Sequence, residues 1–389
     1  MSNFMLRKDV DQICVKEMTN PKWEAHIKQK KNLYPPNLLT VFDFGDYYAA
    51  NIQNLKPIGY TSYCRYFDQD GNELLPPTKS SVFPLFVVHC DARNGTFGLA
   101  ITDRPNERVQ DLFISKFMKM HKKRHQLVHC VAPIFGKEPK WLQIVEMIEH
   151  YKLQGVSKLY FYVREINNYD LNLLKYYENR GEIEIIDVST IFLDAVSQQL
   201  FGVANCHLRT KIEAEWSIYS DIDERLILTD EKSTLLSFIN NISDESIGSM
   251  HFPQRWIFKN TTLPEKFIDD KQVIQELPTR KWHYTSSPAS NCSVGSCWGK
   301  QIVRNKKIVM MLVHDVGAYE DGFKEVRIDS KVGYIRHYRD VGMEDWKDKT
   351  LKMLESFGPF SNTDYPTQLG GKLLKNVLER VHEAFDHVQ

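Results

Sequence analysis

Near the middle of the chain three acids, Asp221, Asp223 and Glu224, follow a short apolar run, Trp216 to Tyr219, within EWSIYSDIDERLIL (215–228). The run is rich in aromatic and β-branched residues and reads as a buried strand. Asp221 and Asp223 are two residues apart, so on an extended backbone their carboxylates point to one side. Like charges placed this way repel unless a cation lies between them. A hard divalent metal, held by one or two carboxylates and completed by a substrate diphosphate, suits such a pair. The plainer alternative is a solvated turn or a helix cap, where acids are common. Position favours a site, because open α/β sheets bind ligands at the carboxyl ends of their strands. Two other chemistries fail on neighbouring residues. A phosphatase Asp-x-Asp-x-Thr motif needs threonine where Arg225 stands, and an EF-hand loop needs glycine and glutamate where Leu226 and Lys232 stand.

The elements that present these acids are legible upstream. Leu127 to Pro133 reads as a strand, and Glu138 to Leu153 as an amphipathic helix with Leu142, Val145, Ile148 and Leu153 on one side, stopped by Gly155. Lys158 to Val163 is a second strand, Tyr169 to Asn179 a helix ended by Gly181, and Ile183 to Val188 a third strand. A helix near Ser197 to Glu213 then runs into the Trp216 strand. This alternation predicts an α/β domain with a mostly parallel sheet and helices on both faces. Neither Gly-x-Gly-x-x-Gly nor Gly-Lys-Thr occurs, which argues against a dinucleotide fold or a P-loop ATPase.

Downstream, Ile247 to Phe252 and Arg255 to Lys259 read as two strands and Leu277 to Lys300 as a loop. Gln301 to Arg304 with Lys307 to Val313 reads as a hairpin ending at His314, and Gly333 to Tyr338 as a last strand. Asp345 to Phe357 and Leu369 to His387 read as closing helices. Upstream of the α/β pattern, short aromatic runs alternate with breakers such as Pro76-Pro77 and Asn94-Gly95, which predicts a small antiparallel sheet. The expected division is a loosely attached lead-in (1–32), a β-rich region with its connector (33–124), an α/β domain (125–345) and C-terminal helices (346–389).

Composition narrows the partners. Of 389 residues, 42% are hydrophobic and 26% charged, as in a globular protein with an ample core. Lys plus Arg and Asp plus Glu both number 50, which gives nucleic acid or an anionic membrane no electrostatic purchase. No run approaches the roughly 18 apolar residues of a membrane span, and MSNFMLRKDV has no apolar signal core. Four glycosylation sequons begin at Asn94, Asn241, Asn260 and Asn291. Seven cysteines are too few for a disulfide scaffold and too spread for a zinc ribbon.

Five ordered blocks carry a resemblance: CVAPIFGKEPKWLQIVEMIEHYKLQGVSKLYFYV (130–163), CHLR (206–209), DIDERLIL (221–228), Val313-His314 and RHYR (336–339). Together they resemble glycosyltransferase family 92, collinearly from about Cys130 to Arg339. The resemblance implies a GT-A-like, Rossmann-like fold and Mn2+-dependent transfer of a sugar from a UDP-sugar donor to a glycan acceptor. In characterised relatives the donor is UDP-galactose and the anomeric configuration inverts. Carried over by residue, Asp221 and Asp223 are metal ligands, with Asp223 in direct contact, and His314 is a third. Lys300, His337 and Arg339 face phosphate oxygens. Pro133 and the turn after it adjoin the nucleoside, with Arg164 facing the same cleft. Inversion needs a carboxylate base. Asp244, Glu245, Asp315, Glu320 and Asp321 are all open, and Asp315 and Asp321 lie nearest the metal block in sequence. Cys130 with Cys206, and Cys292 with Cys297, are the pairings suggested. The resemblance also implies the Golgi, with membrane attachment through an anchor missing from this chain; a cytosolic protein is the alternative. A rival reading on the same fold is a non-catalytic nucleotide-sugar or glycan binding protein.

Overall fold

The computed structural model describes residues 38–53, 56–109, 117–119, 124–189, 194–288, 299–341 and 351–385. Among them, residues 38–119 form two small sheets. Strands β1 (Leu38–Asp43), β2 (Tyr47–Ile52), β5 (Val87–Asp91) and β7 (Met118–Lys119) run in the order β5-β2-β1-β7, and β3 (Thr61–Phe67), β4 (Glu73–Ser81) and β6 (Gly98–Thr102) in the order β4-β3-β6. Val41, Ile52, Cys64, Tyr66, Val88, Cys90 and Leu99 share the core between them, and a Cys64–Cys90 disulfide joins β3 to β5. That bond was not expected, and neither were β2 and β4. The sequence places a breaker at Pro76-Pro77, whereas β4 runs through it. The ladder survives because β4 is an edge strand paired to β3 alone, where a missing N–H costs no interior bond.

The α/β pattern follows closely. Strand β8 (His125–Ile134) leads to helix α1 (Trp141–Leu153), β9 (Lys158–Val163), α2 (Asn168–Asn179), β10 (Ile183–Asp187), α3 (Ala195–Glu213) and β11 (Ala214–Ser220). The four strands lie parallel in the order β10-β9-β8-β11. Gly155, at φ +92°, ends α1 where a Cβ would stand 2.5 Å from Leu236 Cβ, so only glycine makes this turn. Asp194 caps α3 by accepting the Ser197 N–H. The β-rich region docks here, with Phe42, Ala49 and Val87 packed on Leu208 and Ile212 of α3.

Beyond the acids lie β12 (Glu224–Leu228), α4 (Leu235–Asn240), β13 (Ile247–Lys259), α5 (Asp270–Glu276), α6 (Pro278–Lys281) and β14 (Tyr284–Thr285). Next come β15 (Gly299–Arg304), β16 (Ile308–Met311), β17 (Val316–Tyr319), β18 (Lys324–Arg327) and β19 (Gly333–Asp340). The described chain closes with α7 (Lys352–Glu355), β20 (Ser361–Asn362) and α8 (Thr367–Phe385), whose Leu373, Val377, Val381 and Phe385 share a core with Trp141 of α1. Two expectations are corrected. The hairpin does not join Gln301–Arg304 to the segment after it; β15 is inserted antiparallel between β11 and β13, and β16 pairs with β17 instead. Ile302 and Val303 are fully buried, which suits a central strand flanked on both sides. Residues 247–259 are one strand rather than two, with Pro253 at the point where the ladder passes from β15 to β19. Most of the helix expected over 345–357 lies outside the described residues.

One topological step positions the acids. Strand β11 belongs to the main sheet, paired to β8 and β15, whereas among the described residues β12 pairs only with β19. The three residues between β11 and β12 carry the chain from one ladder to the other.

Candidate active site

Asp221, Ile222 and Asp223 form that step. The turn is closed reciprocally: the Glu224 N–H donates to the Asp221 carbonyl at 3.1 Å, and the Asp221 N–H donates to Glu224 Oε2 at 2.7 Å. Beneath it lies the fully buried Arg225. Its guanidinium donates to the carbonyls of Ile222, Glu224 and Gln143 and to Glu146 Oε2, the last at 3.0 Å. Glu146 is fixed in turn by the backbone and hydroxyl of Thr279. A buried charge pair is held only when its remaining lone pairs and protons are satisfied, and this one pins the acid turn to α1.

Each acid then meets a basic side chain from a different ladder. Lys300, the second residue of β15, is 2% exposed and donates to Asp221 Oδ2 at 2.8 Å, with Glu224 Oε2 at 3.5 Å. On the other side His337 of β19 places Nε2 3.2 Å from Asp223 Oδ2 and Nδ1 3.5 Å from Glu224 Oε1, with the Gln254 amide 2.6 Å from Nδ1. Glu224 therefore sits buried between the two basic side chains, and Asp221 and Asp223, with side chains 28% and 20% exposed, form the accessible edge.

The charge states follow from these contacts. Burial alone would raise the Asp223 pKa, but the charge and hydrogen bond of His337, with Arg339 behind it, hold the carboxyl well below the usual range. Burial pushes Glu224 up to about 7 against the pull of Lys300 and His337. For Lys300 burial works downward and the neighbouring acids reverse it, so the ammonium stays charged. His337 is raised in the same way by Asp223. Desolvation lowers His314, half-buried beside Lys300, to about 4, so it is neutral at pH 7. Its Nδ1–H donates to the Gly299 carbonyl at 3.1 Å, which leaves the lone pair on Nε2.

Among the described residues no three His, Cys, Asp or Glu side chains form a ready metal cluster. The donor chemistry nevertheless fits a hard divalent cation. Two part-exposed carboxylates and a neutral imidazole of fixed tautomer lie within electrostatic reach of one another around Lys300.

The other expected residues divide. Arg339 is partly exposed, lies over the Trp256 ring and is close enough to act on Asp223. His337 is 7% exposed and is committed to the acids, so it faces carboxylate where the resemblance implied phosphate. Pro133 packs against Gly202 of α3. A small pocket of about 10 Å³ opens beside Asp221, among Ala132, Gln199, Gly202, Lys300 and Val313. Arg164 is exposed at the end of β9, two strands from β11. Asp315 is half-buried next to His314, and Asp321 lies in an exposed turn. The Cys130–Cys206 disulfide is present and ties β8 to α3 directly behind the pocket; Cys292 and Cys297 lie outside the described residues. Residue types alone did not indicate Gln199, whose amide donates to Asp221 Oδ1 at 3.3 Å, or the part of Glu224 as hub between the basic side chains.

Comparison with known proteins places this geometry. Solved structures similar to the chain include HddC from Yersinia pseudotuberculosis, 14% identical over 60% of this chain and 100% of that one, with a TM-score of 0.29. Staphylococcus aureus TarS 1–349 in complex with UDP is 13% identical over 68% of this chain and 73% of that one, with a TM-score of 0.31. At these scores the likenesses carry no argument. A curated relative, beta-1,4-galactosyltransferase galt-1 of Caenorhabditis elegans, is 26% identical over 242 residues. The match takes in 60% of this chain and 52% of the relative, so the chain spans about half the length of that protein. The model of glycosyltransferase family 92 matches residues 125–373, well over half of the sequence and all of the acid site, and the chain belongs to that family.

Proposed function

We propose that this protein transfers a sugar from a nucleotide donor, galactose from UDP-galactose, to a glycan acceptor with inversion. The observation that carries the proposal is the pair Asp221 and Asp223 at the carboxyl end of β11, each oriented by a basic side chain from a separate ladder. Family membership supports the reaction class, and the name of the nematode relative supports the choice of galactose.

In this reading the donor diphosphate lies along the acid edge. Asp221, Asp223 and His314 would hold a divalent cation, Mn2+ by family resemblance, which when bound supplies positive charge to the leaving diphosphate. Lys300 and His337 keep the two carboxylates aimed. Arg339, partly exposed beside Asp223, adds a cation for phosphate oxygens. The nucleoside side of the donor lies toward Pro133 and Gly202, next to Asp221. The acceptor approaches on the His314 side, where Asp315 stands half-buried and Asp321 lies in its exposed turn. Two disulfides, Cys64–Cys90 and Cys130–Cys206, favour an oxidising compartment and thus the secretory-pathway lumen. No helix among the described residues is long and apolar enough to cross a membrane.

The test is to incubate the purified chain with UDP-galactose, Mn2+ and a panel of neutral glycans, following UDP release and the product anomer by NMR. A β-galactosyl product from the α-linked donor supports the proposal. Donor binding without UDP release from any glycan tested contradicts it.

A further inference from the structure

Inverting transfer needs a base, and the sequence leaves five carboxylates open. Asp244 is exposed and occupied by the Ser246 backbone and hydroxyl. Glu320 is engaged by Lys211, and Asp321 is exposed. A carboxylate outside that set, Glu325, is linked through the Gln301 amide to the His314 carbonyl.

Along β15 the side chains alternate. Lys300 turns to the acids and Gln301 to the opposite side, the α3 side, where Val303, Val316 and Tyr319 pack. The pocket beside Asp221 is lined by Gln199, Gly202 and Val313 together with Asp221 and Lys300. Gln301 is fully buried; its amide donates to Glu325 Oε2 at 3.1 Å and reaches the His314 carbonyl at 3.4 Å. The second oxygen, Glu325 Oε1, accepts from Arg327 Nε at 3.0 Å. Both carboxylate oxygens are thus fixed, while the side chain remains 23% exposed. Asp315, His251, Arg327 and Tyr319 are the titratable and charged groups around it.

Two buried polar atoms beside Glu325 lack a partner among the described residues. Gln301 Oε1 and His251 Nε2 have no hydrogen-bond partner among the described residues, although Gln301 is fully buried and His251 is 3% exposed. Such atoms are rarely left unsatisfied in a finished protein. His251 fits only because residue 299 is glycine: a Cβ there would stand 2.4 Å from Nε2.

We propose that Glu325, held by Gln301, is the catalytic residue that takes the proton of the acceptor hydroxyl. This rests on the glycosyltransferase reading above. As the acceptor O–H gives its proton to Glu325, the freed electron pair forms the bond to the anomeric carbon. The bond from that carbon to the diphosphate oxygen breaks, and UDP leaves with its electrons from the opposite face.

The experiment compares Glu325→Gln, Glu325→Asp and Asp315→Asn with wild type, measuring kcat, acceptor KM, UDP affinity and melting. Glu325→Gln should lose at least about 100-fold in kcat, with UDP affinity and melting close to wild type. Glu325→Asp, which keeps the charge and moves the oxygens, should lose about 10-fold or more, so the role is read even if the glutamine variant folds poorly. Asp315→Asn should lose less than either. Turnover by Glu325→Gln within about tenfold of wild type, or a loss confined to Asp315→Asn, overturns the assignment. Wild type that binds no UDP overturns the glycosyltransferase reading itself, which is a different result from normal UDP binding with unimpaired Glu325→Gln.

Discussion

Asp223 and His337 are 114 residues apart in sequence and 3.2 Å apart in space, joined by an imidazole-to-carboxylate hydrogen bond between β19 and the acid turn. The Tyr338 N–H also donates to the Asp223 carbonyl at 2.9 Å, so β19 fixes both the backbone and the side chain of the second acid. Replacing His337 by Ala should leave Asp223 free to rotate and let its pKa return toward the ordinary range. A loss of tenfold or more in UDP affinity is expected, with about 1–3 kcal/mol of stability for the buried groups left unpaired. Calorimetric titration and urea unfolding of the variant check both numbers.

Lys300 neutralises the other half of the site. Substitution by Met keeps much of the volume and removes the charge, leaving Asp221 and the buried Glu224 without their shared cation. Breaking a buried pair in this way costs roughly 3–5 kcal/mol. The expected signature of Lys300→Met is a lower melting temperature whose deficit grows above pH 7, where Glu224, raised to about 7 and raised further without Lys300, must lose its proton, together with loss of donor binding.

Stability should depend on pH through buried histidines. Burial lowers His150 and His207 to about 3 and holds His129 well below the usual imidazole range. An unfolded histidine takes up a proton near pH 6.5, whereas these three stay neutral when folded, so the unfolded chain binds more protons as pH falls. Their contribution is present above pH 6.5 and is lost progressively below it, at about 1.4 kcal/mol each between pH 7.5 and 5.5. Glu224, raised to about 7, acts in the opposite sense, because the folded state holds its proton first. Urea unfolding should therefore show wild type weakening on acidification and Glu224→Gln weakening more steeply. Stability that is flat or rises toward pH 5.5 contradicts this.

Helix α3 is seated on β8 through one glycine. A Cβ at Gly202 would stand 3.0 Å from Pro133 Cγ and 3.6 Å from the Tyr162 ring. Gly202→Ala should therefore push α3 off the pocket that adjoins Asp221. Overpacking of this kind costs about 1–3 kcal/mol, against a small propensity gain for alanine in a helix. A variant of unchanged stability and unchanged UDP affinity shows that the helix moves freely enough to absorb the methyl.

Much of this was legible in the sequence, and the reasons differ by element. The strand-helix alternation from Leu127 to Tyr219 had the right period and clear glycine stops, so the parallel half of the sheet and the place of Asp221 followed directly. Pairing partners were not legible, because a run such as Gln301–Arg304 looks alike in a hairpin and in a central strand; only the burial of both its faces decides. The same gap hid the role of His337. Its Arg-His-Tyr-Arg setting suggested anion binding, but the register Glu224↔His337 turns it toward the acids. Glu325 carried no motif at all, since what marks it is Gln301 reaching across from a neighbouring strand. The Cys64–Cys90 bond likewise depended on β3 and β5 lying in facing sheets, which spacing alone does not reveal.

The central claim is that the acid turn binds a nucleotide diphosphate together with a divalent cation. It is tested most directly by titrating UDP and UDP-galactose into the folded chain with and without Mn2+, for wild type and for Asp223→Ala. The account predicts saturable binding by wild type that is strengthened at least tenfold by Mn2+ and that loses this dependence in Asp223→Ala. Binding of equal strength in all four cases, or no binding by folded wild type, would contradict it and leave Asp221-Ile222-Asp223 as a structural turn between two ladders.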